Sequence, residues 1–445
     1  MNDKPDVVQR VIGLDSHPDS FTSAILHGPT PAAAIVEKTF NKLPIAGLKG
    51  WAQKHTTAHD VIVLEASGNS FHVVRQLASV GRKALVLESC QLGKLKEAHA
   101  NNDKISAVRI AKGYLAGTAK EVWVPDAKTQ ERRDLFHTYR KATKRTTQMY
   151  ARVRSYLSDN GVRLQPSMNL VEVGPVEALI RSQHAWSLRQ WQVFEGYLSD
   201  LRHGDQQRER WHSLIAQEVL ADPQLLSLVR LCGVREIVAF AVGAFVGDIQ
   251  RFANPKKLVK YVGLDPAFDD SGESEWHGGI GGHGNNDLRG LLIEAAHAIL
   301  RCSDTPLAQW GKKLLARKGE KNLAVAAMAR KLTVAIWYLM MGRWTQLEEI
   351  DDRLSLKVGK MISSVGKPAL QELGKNRKAY REEIYGRLKG GRVYDLSADK
   401  KELKTQAPPT PVSGARVYVL DPDKKYTPRP KAIPAPTLAE EYGLT

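Results

Sequence analysis

The chain has 445 residues, 42% hydrophobic and 25% charged, with a formal charge of +17. That length exceeds one ordinary core and implies two or three domains, while the composition is that of a soluble globular protein and excludes disordered and fibrous classes. The positive excess, with an isoelectric point near 9.6, points to a polyanion partner, most directly nucleic acid; a basic enzyme with a solvated surface is the competing account.

No run of 18 apolar residues occurs, and the richest segment, "NLAVAAMARKLTVAIWYLMMG", carries Arg330 and Lys331 at its centre, so it reads as a buried helix. The start, "MNDKPDVVQR", lacks the apolar core of a secretion signal. Cys90, Cys232 and Cys302 are odd in number and far apart, which fits a reducing cytoplasm better than a disulfide framework.

In chain order, "VVQRVIGLD" is a short apolar strand ending in Asp15, and "SFTSAILHG" and "AAAIVEKTF" follow as hairpin strands. "DVIVLEA" is a buried strand ending in Glu65. "SFHVVRQLASVG" has helical spacing and a glycine stop, "KALVLES" is a strand, "CQLGKLKEAHA" and "ANNDKISAVRIAKGY" are helical, and "EVWVP" closes the region. Three strands followed by alternating helix and strand is the order of the ribonuclease-H-like fold. A Rossmann domain is the alternative, but no GxGxxG follows the first strand. The expected first domain is 1–126.

Over 127–222 the pattern turns helical. Leu135, Tyr139, Ala142, Thr146, Met149, Val153 and Tyr156 recur at alternating spacings of four and three, an a/d coiled-coil seam. Nine Lys and Arg lie between 127 and 160 against Glu131, Asp134 and Asp159, a net of six positive charges. Either the helix belongs to an intramolecular bundle with a solvated basic face, or it is an arm that pairs with another copy. In the second case Arg133, Arg140, Lys144, Arg145 and Arg152 would lie along phosphates. The region 223–345 reads as a mainly α second domain. It has a helix, a glycine turn and a helix resembling a helix-hairpin-helix, whose backbone N–H groups could approach a phosphate. A helix opened by Pro255 and carrying Lys256 and Lys257 comes next, then a glycine-rich loop, "DDSGESEWHGGIGGHGNND", and two strong helices. The remainder, 346–445, is one helical segment, "ALQELGKNRKAYREEIYGRLKGG", and a tail with eight prolines between 405 and 436, extended in character.

The chemistry starts with acids. Asp15 and Glu65 end apolar strands, and in a parallel sheet those ends share an edge. Two such carboxylates repel unless a cation shares them, and Mg²⁺ (or Mn²⁺) suits an oxygen-rich site. Asp103, at a helix start, would supply a third ligand. The plain alternatives are a turn residue for Asp15 and a helix cap or first-turn acid for Asp103. A Glu closing a buried strand, as Glu65 does, needs a partner.

"VIGLDSH", "VLEASG" and "NDKISAVRIA", in that order and spacing, resemble the three blocks of the DEDD recombinases of the insertion-sequence one-ten family, relatives of the Piv-type DNA invertases. The resemblance continues through "LCGVREIVAFAVGAFVGDIQRFANPKKLVKYVGLDPAFDDSG" and "GHGNNDLRGLLIEAAHAIL", and covers roughly residues 8 to 342. It implies a RuvC-like first domain, with Asp15, Glu65 and Asp103 as the first three acids of a metal-binding tetrad. The fourth falls on Ser106, a neutral hydroxyl that could still bind a metal through water; His99 is an additional candidate, though a core or capping histidine is its plainer reading. It also implies that Ser271, in the loop motif GL-P-SG, is the nucleophile. A lone Ser-Gly pair is otherwise a turn. His283 and Arg289 are candidate phosphate contacts, and a surface charge at a helix start is the plain reading of Arg289. By the same resemblance the partners are donor and target DNA, a structured noncoding guide RNA and further copies of the chain, as a dimer or tetramer, acting at the nucleoid.

Three functions follow: a transposase or site-specific recombinase using Mg²⁺ and a serine; a metal-dependent junction resolvase using water; and a non-catalytic nucleic-acid-binding descendant, favoured by Ser106.

Overall fold

Alternating apolar residues build the first unit. In β1 (Arg10–Ser16), Ile12 and Leu14 face one side of the sheet with Phe21 and Ile25 of β2 (Ser20–His27), and Val11 faces the other with Ala24 and Leu26. The computed structural model describes residues 10–93, 103–117, 119–164, 168–183, 186–271, 274–281, 283–342 and 354–389, and divides into Met1–Lys128 and Thr129–Thr445. His99 and the proline-rich tail lie outside the described residues.

The first unit continues through β3 (Ile35–Pro44), α1 (Leu48–His55), β4 (Val61–Glu65), α2 (Ser70–Ala78), β5 (Ala84–Leu87), α3 (Ser89–Gly93), α4 (Asp103–Leu115) and β6 (Glu121–Val122). The strands form one mixed sheet in the order β3-β2-β1-β4-β5-β6, with β1, β4 and β5 parallel and the others antiparallel to their neighbours. The expected strand order is present. The sequence reading passed over α1, whose Trp51 packs edge-on against Phe21 and Phe40 at ring separations of 5.2 and 5.8 Å. Helices α1 and α2 cover one face of the sheet and α4 the other.

The seat of α4 is Gly13. A Cβ there would stand 1.8 Å from the Ala107 carbonyl oxygen, so only a bare backbone lets α4 lie this close to β1. Gly13→Ala is expected to destabilise the unit by about 3 kcal/mol or more through overpacking, read as a lower midpoint in urea.

The second unit is mostly helical: α5 (Ala127–Asp159, beginning just before the division), α6 (Val173–Gln183), α7 (Leu188–Ala221), α8 (Pro223–Leu228), α9 (Glu236–Val246), α10 (Pro255–Val262), a hairpin of β7 (Pro266–Ser271) and β8 (Ser274–Ile280), then α11 (Asn286–Cys302), α12 (Pro306–Lys318), α13 (Lys321–Met340), α14 (Leu354–Val365), α15 (Lys367–Glu372) and α16 (Arg377–Lys389). Ser187 opens α7 with a capping box, its hydroxyl accepting from Gln190 N while Gln190 Oε1 accepts from Ser187 N.

The seam on α5 is covered by the same chain. Met149, Val153 and Leu157 pack with Phe194, Leu198 and Leu201 of α7, and Thr146 Oγ1 lies 3.2 Å from where a Cβ on Gly204 would be. Arg132 bonds Glu218 at 2.6 Å and Asp222 at 2.5 Å, and Tyr156 donates to the Gln190 carbonyl at 3.0 Å, so α5 and α7 run antiparallel. The alternative in which this seam meets a second copy is therefore corrected: an α7 face already fills it.

Two more expectations change. The first part of the glycine-rich stretch belongs to a strand hairpin, β7 and β8 pairing from Pro266–Ile280 to Ser271–Ser274, and not to an open loop. Among the described residues after 345 there are three helices, not one, and they join the main core through Leu354, Val358, Met361, Ile362, Leu370, Tyr380, Ile384 and Leu388. This packing also recasts the glycine turn between α8 and α9. Buried Lys357 of α14 donates to the Val229, Leu231 and Val234 carbonyls at 2.7, 2.8 and 3.1 Å, and Gly233 faces Ile299 of α11. The turn is a packing joint inside the core. Helix α13 is long and apolar enough to cross a membrane, but Met328, Ala329, Leu332, Ala335 and Ile336 are core residues.

Candidate functional site

The acids meet where β1 ends. Asp15 follows Val11 and Gly13 on the face of β1 that α4 covers, because side chains alternate along a strand. Asp103 is the first residue of α4, where the helix dipole favours a carboxylate. His17 lies just past the strand, in the turn to β2. Its N–H donates to the Ser20 carbonyl at 2.8 Å, and its carbonyl accepts from Asn69 Nδ2 at 2.8 Å. Asn69 Oδ1 also accepts from Ser16 Oγ at 3.1 Å, so the backbone that carries His17 is held from both sides.

Asp15, His17 and Asp103 each present a ligand atom, and these atoms all lie within 4.8 Å of one another. His17 Nε2 is 4.0 Å from Asp15 Oδ2 and 3.8 Å from Asp103 Oδ1. Strand β4 runs parallel to β1 with Leu64 opposite Leu14, which puts Glu65 beside Asp15 on the same face. Among the described residues, the 4.8 Å group contains His17 and not Glu65. Two of the three expected acids thus converge, the third is their neighbour by register, and the imidazole is an addition. The signal for it was "LDSH": a histidine two residues beyond a strand-end aspartate.

Burial raises the Asp15 carboxyl above its ordinary value; the His17 imidazole opposes this, the Asp103 carboxylate adds to it, and the Arg109 guanidinium opposes it. A divalent ion would relieve the repulsion between the two carboxylates. The donors present, carboxylate oxygens and one imidazole nitrogen, fit such an ion. Ser106 sits one turn along α4, is 7% exposed, and accepts from Arg109 Nη2 at 3.3 Å. Where the tetrad pattern has an acid, this chain has a hydroxyl with a guanidinium upon it.

Ser271 is the last residue of β7 and pairs with Ser274 of β8, at the tip of the hairpin. Gly272 and Glu273 lie outside the described residues. At the hairpin's base, Arg289 donates to Asn286 Oδ1, and its Nη1 lies 2.5 Å from where a Cβ on Gly263 would be.

The basic residues divide by what they touch. Arg133 Nε donates to the Ala244 carbonyl at 2.9 Å, and burial lowers its pKa. With Arg251 and Tyr261, which bond the Phe245 and Val246 carbonyls, it satisfies the C-terminal end of α9. Arg140 pairs with Asp287 at 3.2 Å. Lys144, Arg145 and Arg152 are exposed on α5, and Lys256 and Lys257 are exposed in the first turn of α10. Cations there oppose the helix dipole, a cost that a bound anion would offset. A cleft of about 230 Å³ between α5 and α7, lined by Lys141, Arg145, His203, Gln207 and Trp211, adds His203, Gln207 and Trp211, which sequence reasoning missed. His203 and Trp211 join it only because α7 folds back along α5.

Residues 227–310 match the family model described as Transposase IS116/IS110/IS902 family. That segment holds the Gly233 turn, the β7–β8 hairpin and Arg289. The chain is similar to the transposase for insertion sequence element IS1111A of Coxiella burnetii, at 26% identity over 285 residues, 63% of this chain and 77% of that protein. It is also similar to the "Probable family 20 transposase" of Pseudomonas aeruginosa, at 22% identity over 284 residues, 63% of this chain and 83% of the other. The chain thus carries, around the hairpin serine, the segment described by the IS116/IS110/IS902 transposase family model, and it is similar to these transposases over well more than half its length.

Proposed function

We propose that this chain cuts and rejoins DNA as a transposase, through a divalent-metal site at Asp15, Glu65 and Asp103 and a serine nucleophile, Ser271, directed by a structured noncoding RNA. The observation that carries the reading is the approach of Asp103 to Asp15 across the bare backbone of Gly13, in a chain that carries a transposase-family segment. Support for the first unit as a RuvC-like, ribonuclease-H-like domain comes from its mixed sheet, with three parallel strands and an acid at the end of β1 and β4.

In the reaction the Ser271 oxygen bonds to the scissile phosphorus and the P–O3′ bond breaks. The serine proton ends on the departing 3′ oxygen, leaving a 3′-hydroxyl and a 5′-phosphoserine. One phosphoester replaces another, so reversal onto a new 3′-hydroxyl rejoins DNA without ATP. A divalent ion held by the acids would polarise the non-bridging phosphate oxygens. The exposed Lys144, Arg145, Arg152, Lys256 and Lys257 would neutralise phosphates of DNA or RNA, and Arg289 would steady the phosphate near the hairpin. Further copies of the chain would complete the assembly through surfaces other than the α5 seam.

The test incubates the purified chain with DNA carrying the element's end, its adjoining noncoding RNA and Mg²⁺ or Mn²⁺, and looks for a protein–DNA adduct that survives denaturation. Cleavage without an adduct would favour a resolvase using water. Tight binding with no cleavage would favour a non-catalytic descendant, the reading that the Ser106–Arg109 contact supports.

A further inference from the structure

We infer that His17 is a direct metal ligand that takes the place of the missing fourth acid, and that the site consequently prefers a first-row transition divalent ion, such as Mn²⁺, over Mg²⁺. This rests on the metal-site reading above. Two atoms bound to one such ion at about 2.1 Å lie between about 3 Å (adjacent) and about 4.2 Å (opposite) apart. The His17 Nε2 distances of 4.0 Å to Asp15 and 3.8 Å to Asp103 fall within that span. His17 needs no rearrangement of its backbone, since Asn69 and Ser20 already hold it.

Position 106 has no anion to offer, and the Arg109 guanidinium on its hydroxyl repels a cation from that side. The donor set is therefore shifted from all-oxygen towards mixed oxygen and nitrogen. Mg²⁺ is hard and favours carboxylate and water oxygen; imidazole nitrogen gains more with transition ions. His17 is 48% exposed, so substitutions there leave the core intact and report on ligation.

The experiment uses the full chain and Mn²⁺ as the probe. Pulsed electron paramagnetic resonance on bound Mn²⁺ is expected to show nitrogen modulation from a directly coordinated imidazole. His17→Ala and His17→Asn should abolish the modulation while Mn²⁺ stays bound, weakened by at least the roughly tenfold that losing even an outer-shell partner costs. Mg²⁺ affinity should change much less, and His17→Asn, with its amide oxygen, should bring the two ions closest to parity. Circular dichroism and melting confirm that the variants fold. If Mn²⁺ binds and Asp15→Asn removes it, but no nitrogen modulation is seen, the ligand assignment fails and the metal-site reading stands. If Mg²⁺ displaces Mn²⁺ at equal concentration, the stated preference is overturned. If the unmodified chain binds neither ion, both the inference and the reading beneath it fall.

Discussion

Ser271→Ala is expected to eliminate the covalent protein–DNA adduct. Removal of a serine nucleophile costs a serine hydrolase on the order of a millionfold, and the loss here should put strand cleavage below detection. Binding should survive. The hydroxyl is neutral and displaces no counterion, so affinity for DNA and RNA, and its slope against salt, should stay within about twofold. The position at the hairpin tip predicts a structurally quiet variant, because β7 and β8 are held by their own ladder from Pro266–Ile280 onward. Melting temperature should be unchanged. Denaturing gels after incubation with end-labelled DNA decide the matter: persistent cleavage by the alanine variant would make water the nucleophile.

Asp15→Asn should stop the chemistry by another route. It removes an anionic ligand while keeping the size of the side chain, and losing several kcal/mol of metal-derived stabilisation corresponds to about a thousandfold in rate. The same variant should leave the metal-free protein as stable or more so. In the folded chain the Asp15 carboxyl titrates above its ordinary value of 3.8, chiefly through burial and the Asp103 charge. A raised carboxyl favours folding only while protonated: that contribution is complete below the ordinary value and is lost as pH rises through the folded one. At neutral pH without metal, the neutral amide of the Asp15→Asn variant avoids this loss, and its advantage in melting temperature should vanish below about pH 4. Added Mn²⁺ should reverse the ranking by stabilising only the unmodified chain. A companion substitution, Ser106→Asp, places an anion one turn from Asp103, where Arg109 awaits it. It is expected to tighten metal binding. If the unmodified chain is inert and this variant cleaves, activity was lost at that position.

Local sequence carries mostly what depends on neighbours along the chain. Strand alternation and apolar runs marked β1, β2, β4 and β5, and the strand-end positions of Asp15 and Glu65 followed from them. The heptad spacing on α5 marked a buried seam. Short stretches with no clear period escaped: α1, and the β7–β8 hairpin, whose glycines read as a loop although its ladder forms between segments that face each other.

Packing settled what depends on who arrives from elsewhere. The seam on α5 could have met a helix of the same chain or of another copy, and the return of α7 fixed which. Arg132 and Arg133 looked like the other basic residues of that helix, but Glu218, Asp222 and the end of α9 claim them. His17 became a candidate ligand only when α4, lying across Gly13, carried Asp103 to it. Lys357, ordinary in sequence, is buried on three carbonyls of a turn more than 120 residues away in the chain. One cause is common to all four. A charged or polar side chain has the same covalent form in solvent, in an ion pair or on a metal, and its role is set by the groups that replace its water, which local sequence does not specify.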